Sequence, residues 1–165
     1  MQCCKIRLFL KNYVAEIFRC DIFPCNYLLY PEFVGSQIVL DSDLIVWTFK
    51  NNYTTYRKPN SYAWVEVGDG DSVKQVHVKE FIGDDPLKEH AVTGTFWFRN
   101  KSVYLKSLKQ LYKKNIKVNN EYYVDSVVNE AIELGYKVKY FEVDHYICWG
   151  TPNDLQTYQY WQRFF

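Results

Sequence analysis

The stretch SYAWVEVGDGDSVKQVHVKE, residues 61–80, alternates apolar and polar side chains on either side of a Gly-Asp-Gly-Asp turn. Period-two alternation flanking glycines that can take positive φ predicts a β-hairpin, with strands over 62–67 and 73–79. Downstream, AVTGTFWF (91–98) predicts a third strand with Gly94 inside it. A glycine in a strand interior often marks close approach by a ligand or another backbone. Upstream, DLIVWTF (43–49) is an unbroken β-branched and aromatic run behind an Asp-Ser-Asp cluster. Such a run predicts a strand buried on both faces and placed centrally in an open α/β sheet. The polar segment KNNYTTYRKPN (50–60) between them reads as a loop.

Beyond the hairpin the apolar period changes to that of helices. Asn100 is placed to cap a helix running to about Lys114, with Tyr104, Leu105, Leu108, Leu111 and Tyr112 on one face. Asn119 and Asn120 start a second helix, whose stripe is Val124, Val127, Val128, Ala131 and Ile132 and whose C′ residue is Gly135. Residues 138–143 return to strand. Thr151, Pro152 and Asp154 suit the N-cap, N1 and N3 positions of a last helix, expected to seal the unit with Leu155, Tyr158 and Trp161 or Phe165. At the other end, residues 5–19 fit a helix, or a strand over 6–10. Residues 22–30 suit a strand and 31–40 a short helical or turn segment. The pattern predicts an α/β sandwich with a mixed sheet, its parallel part around 43–49, in a single domain over residues 1–165.

A chain of 165 residues that is 48% hydrophobic can bury a substantial core, and its 15 Tyr and 11 Phe make much of that core aromatic. With 20 basic and 19 acidic residues, the balance points to neither a nucleic-acid nor a membrane-surface partner. The lysine-rich run 101–117 reads as a solvated helix face. Cys3, Cys4, Cys20, Cys25 and Cys148 form no C-x-x-C pair and have no histidine at zinc spacing, which suits a reducing, cytoplasmic compartment. Charges at Lys5, Arg7, Lys11, Glu16 and Arg19 break the N-terminal apolar residues, so the pattern is not that of a signal peptide.

Several segments, in order, resemble the sugar-phosphate nucleotidyltransferases (the nucleotide-diphospho-sugar transferase superfamily). DLIVWTF lies where that family has a strand after an acidic cluster, and NSYAWVEV is similar to its Y-G-x-V segment. VKQVHVKE resembles its v-x-x-i-x-E-K motif, AVTGTFWF its v-x-G-x-Y-x-F strand, and NNEYYVDSVVNEAIELGYKV its helix after a glutamate-tyrosine pair. GTPNDLQTY resembles the closing G-T-P-x-D-L helix, so the likeness spans about residues 43–160. It implies attack of a sugar 1-phosphate on the α-phosphorus of a nucleoside triphosphate, with pyrophosphate leaving and magnesium neutralising the phosphates. It also implies substrate contacts: Lys79 at the lysine that grips the sugar phosphate, Tyr62 and Ala63 at the tyrosine-glycine position beside the sugar, and Gly94 at the strand glycine. In the family's E-K pair the glutamate position is filled here by Val78.

The chain departs from the family at the nucleotide side. The seven glycines, at 35, 68, 70, 83, 94, 135 and 150, form no glycine-rich phosphate loop. Asn26 and Cys148 stand where the family carries magnesium-binding aspartates, and own metal ligands are not identified; Asp144 lies close in sequence. The resemblance therefore implies a domain lacking the family's N-terminal glycine-loop unit. Three readings follow: an enzyme incomplete by itself, a non-catalytic relative that binds a sugar phosphate or a protein partner, or a fragment whose missing segment is encoded separately. A sheet without the family's first strand exposes an edge, which residues 1–20 or self-association are expected to cover. Among other polar residues, Asp84 and Asp85 suit a turn, His77 a strand surface, and His145, Tyr146 and Trp149 either a sugar pocket or a core.

Overall fold

The computed structural model describes residues 37–148 and 152–164. Expectations for residues 1–36, among them Asn26 and the covered sheet edge, and for Trp149, Gly150, Thr151 and Phe165 lie outside the described residues.

Eleven described elements follow in chain order, beginning with a short helix α1 (Gln37–Leu40) and strand β1 (Leu44–Phe49). A helical turn α2 (Thr54–Arg57) and a 3-10 turn (Pro59–Ser61) follow, in the segment expected to be plain loop. Strands β2 (Ala63–Val67), β3 (Val73–Val78) and β4 (His90–Phe98) come next. Two helices, α3 (Lys101–Lys114) and α4 (Val124–Glu133), precede β5 (Val138–Glu142) and the last helix α5 (Pro152–Gln162). The strands form one five-stranded sheet in the order β3-β2-β4-β1-β5. Only β1 and β5 run parallel; the hairpin and β4 pair antiparallel. The fold is thus mixed α/β, and β1 is an internal strand lying next to one edge of the sheet.

All six residues of β1 are buried, because each face of the sheet is covered. Leu44 and Val46 join Val65, Val76, Leu111, Val127 and Val128 in the core beneath α3 and α4. Ile45 and Trp47 face the other way, against Val39, Trp97 and Phe141. Phe49 packs on that second face with Trp64, Ala91, Tyr62 and Tyr146. A run of β-branched and aromatic residues suits this position because alternation then supplies both layers.

The hairpin closes as its glycines suggest. Gly68 N donates to Ser72 O at 2.8 Å, and Gly70 takes φ +63°, which a side chain would resist. The Asn100 side chain accepts from Val103 N at 3.1 Å, an N-cap that satisfies one orphan amide of α3. Asn100→Ala is expected to cost about 1 kcal/mol in chemical denaturation with an unchanged m-value.

Two expectations need correction. The second long helix begins at Val124 and not at Asn119. Asn119 and Asn120 both take positive φ (49° and 62°), while Val118 and Glu121 exchange backbone bonds of 3.0 and 2.9 Å. They form a two-residue turn, for which asparagine's tolerance of left-handed φ suits it as well as for capping. The last helix, moreover, buries none of its residues fully, and Trp161 is 54% exposed. Leu155, Tyr158 and Trp161 are each three residues apart, so each step falls about 60° short of a full turn; Leu155 and Tyr158 are half-buried, and Trp161 is rotated out to solvent.

Both sheet edges have partners. At the β5 edge, Tyr140 N donates to Asp71 O at 2.9 Å. At the β3 edge, the Asn129 side chain accepts from Val76 N at 2.7 Å and donates to Val76 O at 2.8 Å. Among the described residues, no helix is long and apolar enough to cross a membrane.

Candidate functional site

The hairpin ladder extends one rung past its last strand pair, where Lys79 N donates to Tyr62 O at 3.1 Å. There the chain turns, because Lys79 itself takes φ +60°. Strand alternation alone would leave Lys79 facing out on the same side as Tyr62. The left-handed backbone instead brings its ammonium to 5.7 Å from the centre of the Tyr123 ring, while it also donates to Ser61 O. A non-glycine residue at such a φ carries roughly 1–2 kcal/mol of strain, held by its surroundings.

Tyr123 is the N-cap of α4, and Asp125 follows in the first turn. Burial pushes the Asp125 carboxyl up to about 6, and the Lys79 charge acts against that rise. Because this folded value lies above the unfolded one, Asp125 stabilises the fold below its unfolded pKa and loses that contribution as pH rises through about 6. Asparagine imitates the protonated form at every pH. Asp125→Asn is therefore expected to be more stable than wild type at about pH 8, by on the order of 1 kcal/mol after allowing for partial solvent exposure, with the gap closing by about pH 4. Urea denaturation across that range measures it.

A second cluster surrounds the Tyr62 side chain. Its ring meets Phe49 and Trp64 edge-on, at centroid distances of 6.0 and 6.3 Å. The Tyr62 hydroxyl donates to Thr54 Oγ1 at 3.2 Å and lies 3.7 Å from Cys148 Sγ. Burial above all holds this phenol near 12, so it stays protonated, with the Cys148 contact adding to the rise. Asn52 binds the segment together: Oδ1 accepts from Thr54 Oγ1 at 2.7 Å, and Nδ2 donates to Tyr146 O at 2.7 Å. Cys148 Sγ lies 3.7 Å from Asp154 Oδ2, and Arg57 is 3.9 Å from Asp154 Oδ1.

Of the residues expected at the substrate, Tyr62 and Lys79 are thus joined through backbone, yet their polar ends serve different clusters. The methyl group of Ala63 is buried in the core beneath the helices. The β2–β4 pairing comprises Trp64 with Ala91 and Val65 with His90, and it reaches neither Tyr62 nor Gly94. Gly94 takes φ +90°, and a Cβ built there meets nothing within 4 Å. Its glycine is required by that φ, at an irregularity of the β1–β4 register, and open space takes the place of the close approach expected within the protein. A hollow of about 170 Å³ lies along β3, lined by Gln75, His77, Glu80, Ser126, Asn129 and Glu130 among others; none of Tyr62, Ala63, Lys79 and Gly94 is on its wall, so the expected substrate residues do not share this hollow.

The remaining polar residues serve structure. Asp85 accepts from Leu87 N and from the Tyr56 hydroxyl, at 3.0 and 2.7 Å, as a turn residue does, and these bonds hold its carboxyl low. His77 Nε2 lies 3.4 Å from Glu66 on the sheet surface. His90, which the sequence did not single out, is buried with Nδ1 3.1 Å from Thr48 Oγ1; burial first and Lys50 second lower its pKa and keep it neutral at pH 7. Among the described residues no group of three His, Cys, Asp or Glu could hold a metal ion. The soft thiol of Cys148 has one described carboxylate beside it, that of Asp154, and this pair does not fit magnesium, which demands an oxygen shell. Asn129, Tyr123 and Asp125 were not legible as site residues, since Asn129 meets Val76 across 53 residues.

This arrangement of strands and helices is a nucleotidyltransferase-like fold. It matches the crystal structure of a nucleoside-diphosphate-sugar pyrophosphorylase from Vibrio cholerae RC9 at TM-score 0.59 and 20% identity, over 76% of this chain and 50% of that one. Similar, more distantly, are the inositol-1-phosphate CTP transferase from T. maritima (TM-score 0.46, 19% identity, 72% and 43% covered) and a CMP:2-keto-3-deoxy-manno-octonic acid synthetase complexed with CTP (0.49, 13%, 86% and 57%). The chain spans about half the length of these structures. No protein-family model matches it, and no curated protein does.

Proposed function

We propose that this chain binds a sugar phosphate, or a similarly phosphorylated small molecule, as the acceptor side of a nucleotidyltransferase of nucleotide-sugar biosynthesis. The observation that carries the reading is the Lys79 ammonium, held at the end of β3 between the Ser61 carbonyl and the Tyr123 ring. A fixed cation at a strand end can exchange its carbonyl contact for a phosphate oxygen and so orient the acceptor for in-line attack. In that reaction the acceptor phosphate oxygen bonds to the α-phosphorus, the α–β bridging bond breaks, and pyrophosphate leaves. The triphosphate needs a separate clasp, because no glycine-rich loop occurs in the sequence. We assign that clasp, and the magnesium it would hold, to a segment that this sequence does not contain.

A second reading is a binding module without catalysis. The thiol of Cys148, at a position where the resemblance implies a metal carboxylate, favours it. Pyrophosphate release from nucleoside triphosphates, sugar 1-phosphates and magnesium separates the two. Release on addition of a glycine-loop segment supports the transferase; sugar-phosphate binding without release under either condition supports the module. A chain whose melting temperature no sugar phosphate raises would refute both, since a ligand of the native state must stabilise it by mass action.

A further inference from the structure

Helix α4 meets the sheet at its edge strand, and one side chain makes the junction. The Asn129 amide spans the backbone of Val76, accepting from its N–H at 2.7 Å and donating to its C=O at 2.8 Å. It completes the ladder as a neighbouring strand would, at the residue of β3 whose amide points away from β2. Three residues further along β3 stands Lys79. One helical turn back along α4, on the same face as Asn129, stands Asp125, preceded by Tyr123. Helix and strand therefore run in opposite directions from one clamp, and the first turn of α4 reaches the end of β3. That placement puts the Tyr123 ring 5.7 Å from the Lys79 ammonium.

We propose that Asn129 is a positioning residue for the Lys79 site, its amide clamping α4 to the edge strand so that Tyr123 and Asp125 are set against the Lys79 ammonium. The proposal rests on the reading of Lys79 as the acceptor-phosphate contact. Packing alone would not fix this register. Val124, Val127, Val128 and Ala131 bury an apolar stripe that could slide against Val76 and Val78 at small cost, whereas a two-point amide contact has one partner. The asparagine carboxamide, like glutamine's, presents a donor and an acceptor at the spacing of a peptide group, here on a shorter stem. Leucine has a similar volume and neither bond.

The experiment compares wild type with Asn129→Leu in two readouts. Carbon-13 NMR titration of the Asp125 carboxyl is expected to start near 6 in wild type and to fall toward the ordinary carboxylate range in the variant, as the helix end loosens and water reaches it. Calorimetric titration with glucose 1-phosphate is expected to show roughly tenfold weaker binding in the variant, the loss of about one well-oriented contact. Unchanged titration of Asp125 overturns the proposal, and so does an unchanged affinity. A shifted Asp125 in a protein that binds no sugar phosphate even as wild type overturns the acceptor reading and the ligand half of the proposal, and leaves the clamp. Should Asn129→Leu fail to fold, hydrogen exchange on wild type decides the clamp: the Val76 amide is expected to exchange about tenfold more slowly than those of Lys74 and Val78 on the same edge. Equal rates at the three would overturn it.

Discussion

Lys79→Ala is expected to weaken binding of glucose 1-phosphate by roughly ten- to a hundredfold, the range for losing one charge-assisted contact to a phosphate. Wild-type Lys79 already has partners in Ser61 O and the Tyr123 ring, so the ammonium is oriented before any ligand arrives. Such preorganisation lowers the entropy lost on binding. Removing the side chain leaves Ser61 O, which is exposed and can turn to water, so the fold itself should lose little. Lys79→Arg should recover part of the affinity, since it keeps the charge while changing reach and shape. Calorimetry with the sugar phosphate and with free glucose separates the phosphate contribution: the variants should differ for the first ligand alone.

Trp64→Ala is expected to destabilise the protein by about 3–5 kcal/mol, the range for deleting a buried aromatic side chain. Trp64 is fully buried, packs edge-on to Phe81 at 4.7 Å, and its Nε1 donates to Pro59 O at 2.9 Å. The substitution thus empties volume on the second sheet face and removes one of two donors to the Pro59 carbonyl, the Tyr62 amide remaining. It also removes one of the rings that hold Tyr62. Urea denaturation gives the cost, and a loss below about 1 kcal/mol would mean that this face is not the packed layer described here.

What could be read from residues alone followed how local the physics was. Leu44–Phe49 was legible because its six residues are apolar or β-branched without interruption, which only a strand covered on both faces accommodates. The hairpin followed from its Gly-Asp-Gly-Asp turn, and α3 from the Asn100 cap. Asn119 and Asn120 misled because asparagine serves helix caps and left-handed turns alike; the choice was made by the Val118–Glu121 pairing. Lys79 was found by resemblance and not by alternation, and its orientation depends on a positive φ that no neighbour in sequence announces. Gly94 was legible as special, but its reason was the backbone angle and not crowding. Asn129 and Asp125 lie beside the apolar stripe of their helix, and their partners, Val76 and Lys79, are some fifty residues away, out of reach of any local signal.

The central claim, that the end of β3 and the first turn of α4 receive a phosphorylated acceptor, is tested most directly by amide NMR on the nitrogen-15-labelled protein titrated with glucose 1-phosphate. The account predicts saturable shifts concentrated at Ser61, Tyr62, Lys79, Tyr123 and Asp125, absent in Lys79→Ala. Shifts clustered elsewhere, or none at millimolar sugar phosphate, would contradict it.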